Sequence, residues 1–229
     1  MVLYLILAVI FFFLILYPQY YVKKILNQYR AYPKTFSQNG HSLAEELLFQ
    51  NGIHNVQVEA IDGPDHYDPI AKAVRLSKEN AHGNDLTSLV VAAHEVGHAI
   101  QDHTKYGLLG LRTGLATWGM VIQKWGGAFM MITPILTLVT RSPRIGLLSL
   151  IVGVAGLLSN TVINFVTLPV EIDASFKRAL PLLKKRADFS EAEQKGAHEI
   201  LKACAYTYLA SSLSDLLNVM RWITILKRR

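Results

Sequence analysis

The chain has 229 residues, of which 51% are hydrophobic and 17% charged, and its formal net charge is +6 at pH 7. This balance is typical of a protein with much of its surface in lipid, and a single cysteine, Cys204, excludes an intrachain disulfide framework. The sequence has no basic stripe interleaved with aromatic residues, so nucleic acid is not an expected partner.

The N-terminal segment is the first predicted element. Residues 1–22 carry no charged side chain, and Val2–Tyr17 is almost wholly apolar. With the residues that follow, this stretch is long enough to cross about 30 Å of hydrocarbon. A cleaved signal peptide is the competing interpretation, but a basic start and a small-residue cleavage site are both missing. We predict a transmembrane anchor over residues 1–22.

The next segment, residues 23–112, is predicted to form the catalytic region. Apolar residues alternate with polar ones over 56–60 and again over 74–76, on either side of a turn at Gly63-Pro64. Alternation of this kind is typical of half-buried strands. We therefore expect a short β-hairpin or small sheet before the first long helix.

That helix is predicted over Leu86–Gln101, with Asn84 or Asp85 as its N-cap, and it contains the pentapeptide His94-Glu95-Val96-Gly97-His98. Residues four apart share one face of a helix, so the two histidines are predicted to bind one zinc ion. The glutamate beside them would contact the metal-bound water and act as the catalytic carboxylate. The competing interpretation is a helix whose histidines only satisfy hydrogen bonds in the core.

Two further apolar stretches, Trp125–Thr140 and Ile145–Val170, are joined by the short segment 141–144. We predict a transmembrane helical hairpin within residues 113–170. The start of its first helix is left open, because Trp125–Thr140 is short for a span and must extend back through Lys124. A hairpin lying on the membrane surface is the alternative.

A third zinc ligand is needed, because catalytic zinc usually has three protein ligands. Polar residues recur at helical spacing near the end of the last apolar stretch: Asn160, Asn164, Thr167 and Glu171. Polar groups inside a span mark functional interiors, so Glu171 is the predicted ligand. Pro169 is expected to kink or end the helix there. Asp173 is a candidate for a residue that contacts a metal ligand but not the metal itself, and Ser175 is another.

The final region, residues 171–229, is expected to carry a C-terminal amphipathic helix over Ala197–Leu226, preceded by a capping box at Ser190 and Glu193. A fourth span is the alternative. Lysines and arginines follow the first and third predicted spans more than the second, so the positive-inside rule places the zinc motif in the cytoplasm.

These segments resemble the YugP-like membrane zinc metallopeptidases, a family similar in ligand scheme to the gluzincins. The resemblance rests on the N-terminal anchor and on three segments: Asp65–Pro69 with Val74–Ser77, Ala92–Gln101, and Leu168–Ser175. It implies a zincin-like catalytic region with one zinc ion on His94, His98 and Glu171, and Glu95 as the catalytic carboxylate.

The resulting prediction is a mainly α membrane protein with a small α+β catalytic region, acting as a zinc metalloendopeptidase in the cell membrane of a bacterium. Its expected partners are a peptide or membrane-protein substrate and the lipid bilayer. An extended peptide would add to an open strand edge, where His66 and Tyr67 are candidates for donating to the oxyanion. The alternative function is a zinc-binding membrane scaffold or pseudoenzyme, in which a fourth protein ligand would close the site.

Overall fold

The computed structural model describes residue 17 and residues 20–32 and 36–206, which form mostly helices and one small sheet. Most of the predicted anchor, residues 1–22, lies outside the described residues, as do residues 207–226 of the predicted C-terminal helix. The predicted domain boundaries stay predictions.

The helices are α1 (20–30), α2 (Gly40–Gln50), α3 (Lys78–His82), α4 (Leu86–His103), α5 (Gly107–Thr140) and α6 (Pro143–Ile172), then a π-helix (Asp173–Ala179), α7 (Leu180–Lys184) and α8 (191–206). The strands are β1 (Gln57–Ile61), β2 (His66–Asp68) and β3 (Ala73–Ser77).

The sheet has the order β1-β3-β2, with β1 parallel to β3 and β2 antiparallel to it. The predicted small sheet is present, but the two predicted strands do not form a hairpin around Gly63-Pro64. Instead, Asp65 accepts a hydrogen bond from the backbone N–H of Ser77 at 2.7 Å, which fixes the chain at the end of β3. The chain then runs back along β3 as β2, and β1 is left to pair in parallel on the other side.

Helix α4 occupies the centre of the hydrophobic core. Its predicted start is confirmed: Asp85 caps it by accepting from the N–H of Ser88 at 3.0 Å. The helix packs against α2, α3, the sheet and the π-helix. The fully buried side chains of this core include Leu43, Leu47, Val74, Leu76, Leu86, Leu89, Val90, Val96, Leu183 and Ile200. The residues of the pentapeptide are thereby held on the most enclosed helix of the described structure.

Helices α5 and α6 form the predicted helical hairpin, and α5 begins at Gly107, well before Trp125. The two backbones approach closely at one point, where a Cβ added to Gly126 would lie 2.7 Å from the Cα of Gly156. Among the described residues, no single helix has the length and hydropathy of a membrane span. One pair of helical segments has them when taken together, by length and composition alone: Gly107–Gly126 and Met131–Thr140, which are bent by 50° relative to each other.

The end of α6 tests part of the prediction for Pro169. The residue lies inside α6, which continues to Ile172 before the π-helix begins at Asp173. Of the two predicted effects of Pro169, an end of the helix is wrong, because the backbone stays helical and changes only its hydrogen-bond spacing at Asp173, and a kink stays a prediction. The predicted capping box is confirmed: the Ser190 N–H donates to Glu193 at 2.6 Å, and α8 follows.

Candidate metal centre

Helix α4 carries both imidazoles of the pentapeptide on one buried face. His94 is 8% exposed and His98 is 4% exposed, and their ring centroids lie 4.8 Å apart. Side chains four positions apart fall on the same face of an α-helix, which explains why the rings are neighbours.

Glu171, in the last turn of α6, reaches the same place. Its Oε2 lies 3.1 Å from Nε2 of His94 and 3.3 Å from Nε2 of His98. One possible ligand atom from each of the three residues lies within 4.8 Å of the others. The structure therefore brings together the three residues that the sequence selected as metal ligands.

This donor set fits a divalent transition metal such as zinc. Two imidazole nitrogens and a carboxylate form the ligands of one common type of catalytic zinc site. Glu171 is 1% exposed, and its second oxygen, Oε1, has no hydrogen-bond partner in the described part of the chain. The only cation near it among the described residues is Arg112, whose NH1 lies 3.3 Å away in an ion pair without a hydrogen bond. A buried oxygen without a hydrogen bond is costly, and a metal ion at the cluster would offset more of that cost.

The electrostatics of the two buried glutamates differ. Burial opposes ionisation of Glu171, but the imidazoles of His98 and His94 outweigh it and hold its pKa well below the usual range. For Glu95, burial raises the pKa to about 7, with His94 lowering it and Glu171 adding to the rise. Glu171 is therefore held as a carboxylate suited to a ligand, and Glu95 is poised to exchange a proton near neutral pH.

The outer nitrogen of each imidazole has its own partner. Gln101 Oε1 accepts from Nδ1 of His98 at 2.9 Å, and the hydroxyl of Ser175 lies 3.1 Å from Nδ1 of His94. Because the Gln101 oxygen can only accept, Nδ1 of His98 carries a proton, and Nε2, which faces Glu171, is the ring nitrogen in position to bind a metal. Partners of this type orient ligating histidines in metal sites.

Asp173 lies one step further from the ligands. Gln101 donates through Nε2 to Asp173 at 2.9 Å, and Arg178 donates to the same carboxylate at 2.9 Å. A chain of contacts therefore runs from His98 through Gln101 to Asp173. Gln101 thus links Asp173 to His98, and the supporting role of Asp173 stays a prediction.

Replacing Ser175 with Ala is expected to lower the affinity of the cluster for zinc about 10- to 100-fold, the usual effect of losing such an outer partner. The hydroxyl is buried against His94, so its loss leaves that ring less firmly oriented. Competition with a chromophoric chelator measures the affinity. Ser149→Ala is the matched control, because Ser149 is also buried but bonds to Thr133 in the hairpin. Equal zinc affinity in both variants would contradict the role of Ser175.

Gly97 explains how the π-helix comes so near to α4. A Cβ at this position would lie 2.6 Å from the carbonyl oxygen of Ala174, closer than real side chains come to backbone. The glycine within the pentapeptide therefore permits the approach that carries Ser175 to His94. A glycine inside a helix destabilises the helix by about 1 kcal/mol relative to alanine, and here it lies at the position where the two backbones meet.

Two cavities flank the cluster. The first, here called the Glu95 cavity, has a volume of about 400 Å³ and is lined by Val22, Leu26, Asp65, His94, Glu95 and Ile200, among others. The second, the Arg112 cavity, measures about 220 Å³ and is lined by Tyr67, Ile70, His98, Leu109, Arg112 and Met120, among others. Residues just before β2 line the first cavity, while β2 and the residues after it line the second. The cluster is thus reached from both ends of this edge strand.

The predicted oxyanion donors lie on that strand. The Tyr67 hydroxyl donates to Asp102 at 2.5 Å, and the ring of His66 donates from Nδ1 to the carbonyl of Pro64 at 2.9 Å. Tyr67 shares the wall of the Arg112 cavity with His98. Both side chains are engaged with other protein groups in this arrangement, so their role in binding an oxyanion stays a prediction.

Sequence reasoning missed Gln101 and Arg112. Gln101 lies three residues after His98, the spacing that brings helical side chains into contact, and this signal was available in the sequence. Arg112 NH1 lies 3.3 Å from Oε1 of Glu171. No local sequence pattern predicts this contact, because the two residues come from different helices.

Comparison with known proteins gives two matches. A family model described as "Putative neutral zinc metallopeptidase" matches residues 4–227. A relative from Bacillus subtilis (strain 168), named "Putative membrane protease YugP", is 33% identical over 213 residues, covering 91% of this chain and 90% of the relative. No solved structure matches the chain.

Proposed function

Because the chain belongs to the family described as "Putative neutral zinc metallopeptidase", we propose that it hydrolyses peptide bonds at a zinc ion held by His94, His98 and Glu171. The observation that carries the proposal is the buried cluster of three ligand atoms within 4.8 Å of one another, with Glu95 adjacent in sequence and lining the neighbouring cavity. When bound, zinc would polarise the scissile carbonyl and make water more acidic.

Glu95 performs the proton transfers in this proposal. Its carboxylate accepts a proton from the attacking water as the water oxygen bonds to the carbonyl carbon. The same proton then passes to the amide nitrogen as the C–N bond breaks, which leaves a carboxylic acid and an amine. A pKa near 7 suits a group that must take up and release a proton at neutral pH.

Strand β2 is the proposed guide for the substrate backbone. It is an edge strand of the sheet, and the chain on either side of it lines the two cavities. An extended peptide paired with this edge would cross the cluster from one cavity to the other. Main-chain pairing of this kind gives binding with little dependence on side chains.

The bilayer is the proposed environment. The B. subtilis relative is named a membrane protease. In this chain, the helical hairpin exposes large apolar side chains that water would not favour, among them Trp118, Met131, Leu138, Val139 and Ile151. The positive-inside rule supports an active site that faces the cytoplasm, with peptides or membrane proteins as substrates.

Metal removal tests the proposed function directly. The full chain, purified in detergent, is expected to cleave a fluorescently labelled unfolded protein and to lose that activity after treatment with a zinc chelator. Restoring zinc should return the activity, while magnesium, which prefers oxygen ligands, should not. New N-terminal amines, measured by mass spectrometry, identify peptide-bond cleavage. Cleavage that persists in the fully metal-free protein would contradict the proposal.

A further inference from the structure

Arg112 is a cation beside the cluster, and it has no role in the hydrolysis proposed above. Its side chain is 30% exposed, and NH1 lies 3.3 Å from Oε1 of Glu171. Among the described residues that line the Arg112 cavity, it is the only arginine or lysine, and no aspartate or glutamate lines the cavity. Most of the remaining wall is apolar, including Pro69, Leu109 and Ala116. A charge in such a setting is expected to have a partner of opposite sign.

Glu171 satisfies only part of this guanidinium. A guanidinium has five N–H donors, and the contact with Glu171 is an ion pair without hydrogen-bond geometry, since Oε1 has no hydrogen-bond partner in the described structure. The remaining donors of Arg112 are therefore available to an oxygen anion that enters the cavity. A planar guanidinium matches a carboxylate particularly well, because two parallel N–H···O bonds can form.

The opposite cavity has the opposite charge. The Glu95 cavity is lined by two acidic side chains, Asp65 and Glu95, and contains no arginine or lysine among its described lining residues. The two ends of the site are thus acidic and basic, respectively. This charge difference would orient a peptide that lies across the cluster, because the carboxylate at the free C-terminus of the peptide is attracted to Arg112 and repelled by Asp65.

We infer that Arg112 binds a carboxylate of the substrate on the C-terminal side of the scissile bond. The carboxylate is supplied either by the free C-terminus of the peptide or by an Asp or Glu side chain near the cleaved bond. The inference rests on the proposed peptidase function and adds a substrate preference to it. Arg112 is then a specificity-determining residue that contacts the substrate.

A residue that only positioned Glu171 would behave differently. Its loss would weaken the metal ligand and lower the turnover of every substrate by a similar factor. A residue that binds the substrate carboxylate affects substrates with a carboxylate more than those without, chiefly through KM. The ratio of kcat/KM between substrates with and without the carboxylate therefore distinguishes the two roles, even if the substitution also lowers the overall rate.

The experiment compares matched versions of one fluorescent peptide that the wild-type chain cleaves. One pair differs in a free or amidated C-terminus, and the other has Glu or Gln after the scissile bond. Wild type is expected to prefer the carboxylate member of at least one pair about 10- to 100-fold in kcat/KM. Arg112→Gln should abolish that preference and Arg112→Lys should keep part of it, while Lys124→Gln, which removes an exposed charge from the same helix, should leave it intact.

Binding provides a second readout that needs no turnover. Calorimetry with the metal-free Glu95→Gln protein, with and without the Arg112→Gln change, measures the affinity for both members of each pair: the free-acid and amidated peptides, and the Glu and Gln peptides. A carboxylate preference that disappears with Arg112 supports the inference. Equal binding within both pairs, or a preference that survives Arg112→Gln, overturns it. Absence of zinc-dependent cleavage of every peptide would instead overturn the proposed function, while the binding comparison would still show whether Arg112 binds a carboxylate.

Discussion

Glu95→Gln is expected to lower the rate of peptide hydrolysis by at least about 10²- to 10⁴-fold, the usual contribution of a general acid–base group. The amide keeps the size of the buried side chain, but it neither accepts the proton of water nor returns one to the leaving amine. Steady-state kinetics on the labelled substrate measures the rate. The zinc content is expected to stay at the wild-type value, because Glu95 lies outside the cluster of three ligand residues.

Glu45→Gln is a suitable control for this variant, since it removes a carboxylate from an exposed position of α2. It is expected to cleave at the wild-type rate. A normal rate for Glu95→Gln would show that another group accepts the proton. A wild-type chain that binds zinc but cleaves nothing would favour the zinc-binding scaffold, in which the metal serves folding or assembly alone.

The metal ligands could be predicted because each has a local signal. The spacing of His94 and His98 is meaningful only on a helix, and the cap at Asp85 with the apolar residues around the motif indicates that helix. Glu171 follows a long apolar stretch at the spacing of a polar helical face, and it is buried against the histidines in the structure. Helical periodicity thus carried most of the information about the candidate site.

The sheet could not be paired correctly from its local pattern. Alternation over 56–60 and 74–76 identifies two strands but says nothing about their relative direction. The antiparallel partner of β3 is only three residues long, His66–Asp68, which is too short to show periodicity. Its position depends on Asp65 and its bonds to Ser77, contacts between residues that are distant in sequence.

The π-helix and the role of Arg112 could not be predicted from the sequence for a related reason. A π-helix has no reliable sequence signature, and this one becomes intelligible only beside Gly97 of α4. Arg112 belongs to a helix whose start the apolar pattern left open, because the apolar stretch Trp125–Thr140 is short for a span and α5 begins well before it, at Gly107. Both features arise where two distant helices meet at the cluster, and such meetings are set by tertiary packing.

Glu171→Ala is expected to weaken zinc binding by more than the roughly 10- to 100-fold that loss of an outer partner costs, because a coordinating group itself is removed. In the presence of a competing chelator, the wild type and Glu95→Gln should retain zinc while Glu171→Ala retains little. Metal analysis after gel filtration measures the content per chain. Glu171→Gln separates charge from size, since its amide oxygen is a neutral and weaker ligand for zinc.

Thermal unfolding tests the same variant without activity or metal analysis. A ligand that binds only the folded chain stabilises it by RT ln(1 + [L]/Kd), so added zinc should raise the Tm of the wild type by an amount that grows with zinc concentration. Glu171→Ala should lose most of this increase, even if its metal-free Tm differs from that of the wild type. The metal-free Tm of each variant is its own reference, which removes the effect of deleting a buried side chain. An undiminished zinc-dependent rise would show that the third ligand is another residue, with Asp173 the nearest acidic candidate along the chain.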